Sequence, residues 1–451
     1  MKNLHSRRRF LKQAMGGMAA MTLPLASMRA MAQHMGDYRA LVCLYLYGGN
    51  DSDNLIVPLS GTASEHYGAQ RIGSLDLRST ALPVGSALHA GYGEQVSFGL
   101  HPSLVGLSSL WAQGKVAAVA NVGTLVQPIS QTQYRNGTGP RPDRLFSHSD
   151  QQAQSQNASP NAPSASGWGG RITDHLHHYN MAGGFPAATS FSGNPVLLAG
   201  MHSEAATLKP GYRLALAGTY ATIDHRNQAM EALLARDTGQ PLVTRANQKL
   251  LDTLAMGRTL EQARLNAPPP TVQFPTTNIG AQFRDVAELI NLNAYLGTRR
   301  QVFFVSLGGF DTHSNQAATQ ARLLGQVDEA LTAFQGELMA QGNAHAVTTF
   351  TMSDFGRTFQ PNGNFGTDHA WGAHHLVIGG AVNGGFYGQF PVFQTDGPDS
   401  TDQRGRWIPT TGLDQYGATL ARWLGVAEMD LGMVFPNLIN FPSSNLGFLS
   451  A

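Results

Sequence analysis

The chain has 451 residues, of which 42% are hydrophobic and 13% are charged. This length is sufficient for a large buried core, either in one large α/β domain or in two smaller ones. The apolar content excludes a chain that is disordered throughout.

The first 32 residues have the pattern of an export signal. Three arginines at 7–9 precede a moderately apolar stretch at 14–25. That stretch is too short to span a bilayer, which is typical of a cleaved twin-arginine signal rather than of a stable transmembrane anchor. Small residues up to Ala32 predict cleavage after Ala32, and hence a periplasmic or secreted protein whose partner during export is the twin-arginine translocase. A helix of the fold itself is disfavoured, because no acid precedes Asp37.

Removal of this signal changes the charge balance. The first 32 residues hold six of the 30 basic residues and none of the 29 acidic ones, so 24 basic residues remain and the formal charge becomes about −5. A nucleic-acid partner therefore has no support from the charge.

Residues 40–47 are nearly all apolar and predict a central strand that is covered on both faces. Cys43 lies in this run and is the only cysteine, so no intrachain disulfide can form. Gly48 and Gly49 then permit a tight turn, after which Asp51 projects at the end of the strand. From this segment alone, a metal ligand and an Asx-turn or helix cap are equally good interpretations of Asp51.

Residues 61–99 are rich in Gly, Ser and Thr, and predict a long surface excursion. Further along, Ser147 opens a predicted helix. A hydroxyl at a helix N-terminus meets free N–H groups and the positive end of the helix dipole, which suits a nucleophile that attacks phosphate or sulfate. The same position suits an ordinary N-cap, and from the segment alone the cap is the better interpretation.

Periodic apolar residues at about 224–297 predict a helical insertion that covers the sheet. Residues 301–307 predict another strand, which ends in a Gly-Gly turn followed by Asp311 and His313. An Asp and a His two positions apart can reach one ion if the backbone between them is extended. As an isolated motif, this pair is weak.

The stretch that follows the apolar residues 346–352 is the richest in chemically useful side chains. Asp354 comes at the end of that predicted strand, and a glycine-rich loop then carries His369. Parallel α/β sheets place their chemistry at the edge where the strands end. His374 and His375 are expected to begin the next strand, with a packing or ligand-supporting role.

Acids thus follow three predicted strands, at Asp51, Asp311 and Asp354. Turn chemistry alone does not readily account for this recurrence. Divalent ions accept carboxylate oxygen and imidazole nitrogen, and two such ions can polarise a phosphoryl or sulfuryl group while they activate a hydroxyl or water.

Five motifs recur together along the chain: Tyr47-Gly48-Gly49-Asn50-Asp51, Ser147-His148, Gly308-Gly309-Phe310-Asp311-Thr312-His313, Ser353-Asp354-Phe355-Gly356-Arg357 and His369-Ala370-Trp371-Gly372. As a set they resemble the domain-of-unknown-function family 1501, exported bacterial proteins that are similar to the alkaline phosphatase and sulfatase superfamily. The resemblance implies one alkaline-phosphatase-like domain at 33–451. Its fold would be a three-layer α/β/α sandwich with a mostly parallel mixed sheet and the helical insertion.

The resemblance also implies a site with two divalent metal ions, where Zn, Mn, Mg and Ca all remain open. Asp51 and Asp354 would hold one ion, with the Ser147 hydroxyl as the nucleophile. The other ligands and the substrate-binding group are then implied by position: Asp311, His313 and His369 for the second ion, and Arg357 for an oxygen of the substrate.

The implied function is an exported, metal-dependent hydrolase of phosphate or sulfate esters, with a small-molecule or glycan ester as substrate and carbohydrate-linked esters included. Two positions differ from the superfamily pattern, since Phe355 and Asn315 stand where histidines are usual. The alternative is therefore a non-catalytic cell-envelope binding or assembly protein that keeps the same scaffold.

Overall fold

A nine-stranded mixed β-sheet is the central layer of the fold. The computed structural model describes residues 37–161, 164–182, 184–211, 224–236, 239–266 and 268–450. The predicted signal peptide at 1–32 lies outside these residues. The strands, in chain order, are β1 (Arg39–Tyr47), β2 (Ile56–Pro58), β3 (Leu82–His89), β4 (Glu94–Leu100), β5 (Val116–Gly123), β6 (Ala188–Ser190), β7 (Ala206–Thr207), β8 (Arg300–Gly308), β9 (Val347–Ser353), β10 (Ala373–Gly379), β11 (Gly385–Gly388) and β12 (Thr411–Gly412).

The sheet has the order β11-β5-β10-β9-β1-β8-β6-β7, and β12 pairs with β5 at its end. Strand β1 pairs in parallel with β8 on one side and with β9 on the other. Within this sheet β10 runs antiparallel to both of its neighbours, β9 and β5. The carboxyl ends of β1, β8 and β9 therefore lie side by side at one edge.

Helices cover both faces of this sheet. They are α1 (Gly61–Gln70), α2 (Val105–Ala112), α3 (Gln131–Asn136), α4 (His148–Asn157), α5 (Trp168–His175), α6 (Asp224–Leu234), α7 (Pro241–Arg264), α8 (Asn278–Asn291), α9 (Asn293–Leu296), α10 (Gln316–Ala340), α11 (Leu413–Leu424) and α12 (Leu431–Val434). Among the described residues, no helix combines the length and the apolar character needed to cross a membrane.

Strand β1 shows how the layers are held together. Its side chains alternate between the two faces, as the pleat of a strand requires. Leu44 belongs to the core under α8 and α10, where the rings of Phe283 and Phe334 pack with centroids 5.0 Å apart. Cys43 and Tyr45 belong to the opposite core, under α5 and α11. The predicted three-layer α/β/α sandwich with a mostly parallel mixed sheet is confirmed.

The prediction for residues 61–99 was wrong. This segment contains α1 and the hairpin of β3 and β4, and with β2 the hairpin forms a second, three-stranded sheet. Its buried side chains, such as Val96 and Phe98, join the main core. The Gly, Ser and Thr content concealed a hairpin in which the few apolar residues of β4 are buried, while most of β3 is partly or fully exposed.

Loss of packing under β1 should be costly. Leu44→Ala is expected to lower the free energy of unfolding by about 2–5 kcal/mol, because it removes buried methyl groups and leaves a cavity. Urea unfolding followed by circular dichroism measures this. Leu242→Ala on α7 is the matched control, since Leu242 is 87% exposed and a change there should stay within about 0.5 kcal/mol. Equal effects of the two substitutions would contradict the burial of Leu44.

Candidate metal centre

The loops that follow β1 and β8 dock directly on each other. The Phe310 amide donates to the carbonyl of Tyr47 at 3.1 Å. Gly48 has a φ of +114°, and a Cβ at this position would lie 2.4 Å from the Asp311 nitrogen. A residue with a side chain would therefore push the two loops apart, so Gly48 is needed where Asp311 leaves its strand.

Three imidazoles converge on the carboxylate of Asp311. The Nε2 atoms of His148, His313 and His369 lie 3.5, 3.0 and 3.3 Å from Asp311 Oδ1. The Nε2 atoms of His313 and His369 are 2.9 Å apart. The structure thus brings together Asp311, His313 and His369, three of the predicted ligands, and adds His148 to them.

The other ring nitrogen of each histidine is also engaged, in every case by an oxygen that can only accept. Such contacts fix the orientation of a ring, as they do for most histidines that bind metals. The Nδ1 contacts are those of His148 with Asp354 Oδ2 (2.6 Å), His313 with Asp368 Oδ1 (2.8 Å) and His369 with the Phe146 carbonyl (2.8 Å).

The cluster fits a divalent ion. His148, Asp311 and His369 each offer one donor atom, and these atoms all lie within 4.8 Å of one another. His148 Nε2 is buried and makes no hydrogen bond to any residue that the structure describes. Burial lowers the pKa of His369, so its ring tends to stay neutral and able to act as a ligand.

Arg357 lies beneath this cluster and its side chain is fully buried. Its Nη1 donates to Asp311 Oδ1 at 2.8 Å and to the Gly48 carbonyl at 3.2 Å, while Nη2 donates to the Thr367 carbonyl. Burial acts to raise the pKa of Asp311, but Arg357 and the neighbouring histidines outweigh it and lower that pKa overall. Arg357 therefore keeps Asp311 ionised and in place.

Asp51 and Asp354 have different partners. The Asp51 carboxylate pairs with the fully buried Arg71, with Nη2 3.0 Å from Oδ1, and it also accepts from Gln316. Asp354 Oδ2 accepts from His148 and, at 2.7 Å, from the amide of Gln152. The two carboxylates that the resemblance assigns to one ion are thus each engaged elsewhere.

Ser147 is the N-cap residue of α4, but its side chain does not cap the helix. Its Oγ donates instead to Asp150 Oδ2 at 2.6 Å. The preceding residues Arg144 and Phe146 have φ angles of +48° and +70°. Such left-handed conformations cost energy in residues with large side chains, and they often occur at functional sites. This strained loop supplies the Phe146 carbonyl, Ser147 and His148.

Phe355 forms an apolar wall on the cluster. Its ring centroid lies 4.8 Å from those of both His148 and His369. The two remaining predicted histidines lie elsewhere in the core: His374 Nδ1 accepts from the Asn121 amide at 2.9 Å, and His375 stacks on Tyr416.

Sequence reasoning missed the parts played by His148, Asp368 and Arg71. His148 directly follows Ser147 and Asp368 directly precedes His369, so their positions beside named residues were a usable signal. Nothing in the spacing pointed to Arg71, because its pairing with Asp51 depends on how α1 packs.

The comparisons with known proteins agree with the motif set. The sequence model of the family described as "Protein of unknown function (DUF1501)" matches residues 38–401. The chain belongs to this family. No curated protein matches it.

Solved structures with a similar fold share little sequence with this member of the DUF1501 family. The lipoteichoic acid synthase LtaP from Listeria monocytogenes is 8% identical, with 89% of this chain and 76% of that chain covered and a TM-score of 0.38. The PsFucS1 sulfatase from Pseudoalteromonas sp. is 9% identical (91% and 72%, TM-score 0.31). The C-terminal periplasmic domain of EcEptC from Escherichia coli, in complex with Zn, is 10% identical (87% and 83%, TM-score 0.30). At these TM-scores a functional assignment has to come from the side chains of this chain.

The buried pair of Asp51 and Arg71 yields a stability prediction. Arg71→Met should lower the free energy of unfolding by about 3–5 kcal/mol, because it leaves the Asp51 carboxylate buried without its cation. Arg78→Met is the control, since Arg78 pairs with Asp76 while 37% exposed and such surface pairs are worth about 0–1 kcal/mol. Urea unfolding of both variants measures the difference, and equal losses would show that Asp51 does not depend on Arg71.

Proposed function

We propose that the protein is an exported, metal-dependent hydrolase of phosphate or sulfate esters, carbohydrate-linked esters included. One observation carries the proposal: three imidazole nitrogens and a carboxylate converge, and one of the imidazoles belongs to His148, which directly follows a helix N-terminal serine whose hydroxyl does not cap its helix. A nucleophile, an anion-binding helix end and donors for a divalent ion are the parts that ester hydrolysis of this kind requires.

The residues of the chain would divide the work as follows. Asp311, His148, His313 and His369 would hold the ion, which when bound would polarise the ester and favour loss of the Ser147 proton. Ser147 Oγ would form a bond to phosphorus or sulfur as the bond to the alcohol oxygen breaks, and the proton of the serine would end on the departing alcohol oxygen. Water would then release the acid from the serine and restore the hydroxyl.

Two neighbouring groups would support this attack. Asp150 accepts from Ser147 Oγ and so holds the hydroxyl at the end of α4. This hydrogen bond is the main cause of a lowered pKa for Asp150, which makes its carboxylate an orienting group rather than a strong base. The free N–H groups of the first turn of α4 would bind the non-bridging oxygens of the ester.

A second candidate function is a non-catalytic cell-envelope binding or assembly protein. It is favoured by Phe355, which packs against His148 and His369 where the superfamily pattern has a histidine, and by Asp51, whose charge Arg71 already balances. It would bind an anionic glycan or a protein partner, and that binding would survive both chelation and Ser147→Ala.

The nucleophile is tested by Ser147→Ala on protein loaded with metal. We expect kcat to fall at least ~10³-fold on a panel of phosphate and sulfate esters, because the proposed covalent step loses its nucleophile. Ser130→Ala is the matched control, since Ser130 is the N-cap of α3 and does accept a hydrogen bond from its own helix.

Two results would contradict the proposal. Turnover that survives Ser147→Ala would exclude this nucleophile. A folded, metal-loaded wild-type protein that cleaves no ester of the panel would favour the binding protein instead.

Export is tested separately, through the signal. Changing Arg7 and Arg8 together to lysine should leave the protein in the cytoplasm, because the twin-arginine pathway reads the arginine pair and not the charge alone. Cell fractionation measures the distribution, and amino-terminal sequencing of the exported form should begin at Gln33. Lys2→Arg is the control for a change in the same basic segment. Export of the double variant at the wild-type level would rule out this route.

A further inference from the structure

The hydrogen bonds of the cluster define where its imidazole protons lie. The Phe146 carbonyl and the Asp354 and Asp368 carboxylates can accept but not donate a hydrogen bond. Each Nδ1 that faces one of these oxygens must therefore carry the proton. In a neutral imidazole the Nε2 atom is then left with a lone pair.

The Nε2 atoms face one another. The Nε2 atoms of His313 and His369 are 2.9 Å apart, and both lie within 3.3 Å of Asp311 Oδ1. His148 Nε2 approaches the same oxygen at 3.5 Å. This convergence of three imidazole nitrogens and a carboxylate oxygen is a donor set that a single cation could share. Arg357 donates to Asp311 but, among the described hydrogen bonds, to none of the three nitrogens.

We infer that this protein holds a single divalent ion of the borderline class, with zinc as the type case, through His148 Nε2, His313 Nε2, His369 Nε2 and Asp311 Oδ1. Three nitrogens and one oxygen suit zinc in four-coordinate form. Magnesium and calcium prefer sets made only of oxygens. This inference rests on the metal ion of the proposed function, but the ion can bind whether or not the protein cleaves an ester.

Asp354 is a positioning residue in this centre and not a ligand. Its Oδ2 accepts a hydrogen bond from His148 Nδ1, which is the usual arrangement of carboxylate, histidine and metal. Its Oδ1 is buried and has no hydrogen-bond partner among the described residues, and Asp354 lines a cavity of about 20 Å³ together with Thr124 and His375. A cavity of that size holds one water and no hydrated second ion.

Asp51 gives no second site either, because the buried Arg71 guanidinium already supplies the positive charge beside it. The arrangement therefore predicts one ion per chain where the resemblance implied two. This difference can be measured directly.

The first experiment counts and types the ion. The purified protein is stripped with a chelator, reloaded with Zn²⁺ or Co²⁺ and analysed by elemental mass spectrometry, without any ester present. We expect one tightly held ion per chain and an intense visible Co²⁺ spectrum typical of four-coordination. Two tightly held ions, a preference for Mg²⁺ over Zn²⁺ at equal concentration, or no tight binding at all would overturn the inference.

The second experiment separates ligand from positioning residue. Asp354→Asn should weaken Zn²⁺ binding ~10–100-fold, as loss of an orienting partner does, while the Co²⁺ bands stay in place. His148→Ala should weaken binding further and shift the bands, because a donor atom is lost. His202→Ala is the control, since His202 is exposed, and it should change neither quantity.

Near-ultraviolet circular dichroism checks that each variant is folded. If His148→Ala does not fold, Asp354→Asn decides alone. Wild-type affinity in a folded His148→Ala, or shifted Co²⁺ bands in Asp354→Asn, would overturn the assignment of these two residues. One bound ion without ester cleavage would contradict the proposed function and leave the metal centre standing.

Discussion

The parallel pairing of β1 with both β8 and β9 is the constraint on which the site depends. Because the register joins Tyr47 to Gly308 and Leu46 to Ser353, the loops after all three strands begin at the same level. The Ser353 hydroxyl reinforces this by donating to the Leu46 carbonyl at 2.6 Å and accepting from the Asn50 amide at 2.9 Å. A slip of one residue would exchange the two buried faces of β1, so the core itself holds these loops in position.

These strands could be predicted from the sequence because the signal for a buried parallel strand lies within the strand itself. Buried parallel strands need continuous apolar runs, and acids that follow such runs must come out at one edge. The segment at 61–99 lacked that signal. Its hairpin and α1 depend on contacts with distant parts of the chain, and for the same reason the partner of Asp51 could not be found. Arg71 lies 20 residues further along the chain, at the end of α1, and reaches Asp51 through the packing of that helix.

The types of side chain at the site were also easier to predict from the sequence than the role of each one. Asp311 and His313 lie two residues apart on one loop, so their meeting is nearly local. Asp354, like Asp311, follows an apolar run that predicts a buried strand. Its carboxylate nevertheless contacts the ring of His148 on α4, 206 residues earlier in the chain. Which oxygen meets an ion and which meets a neighbouring ring is set by tertiary packing, and no spacing rule carries that information.

Charge balance at the sheet edge connects the site to the stability of the fold. Two of its acids have a fixed cation, since Arg71 pairs with Asp51 and Arg357 with Asp311. Asp354 is as buried as Asp51, but among the described residues its hydrogen bonds come from an imidazole and an amide, neither of which carries a permanent charge. An ion on the far nitrogen of His148 would polarise that ring and strengthen its bond to Asp354. The ion would then stabilise the folded chain as well as serve its chemistry, because it binds only where the three strands have already brought their loops together.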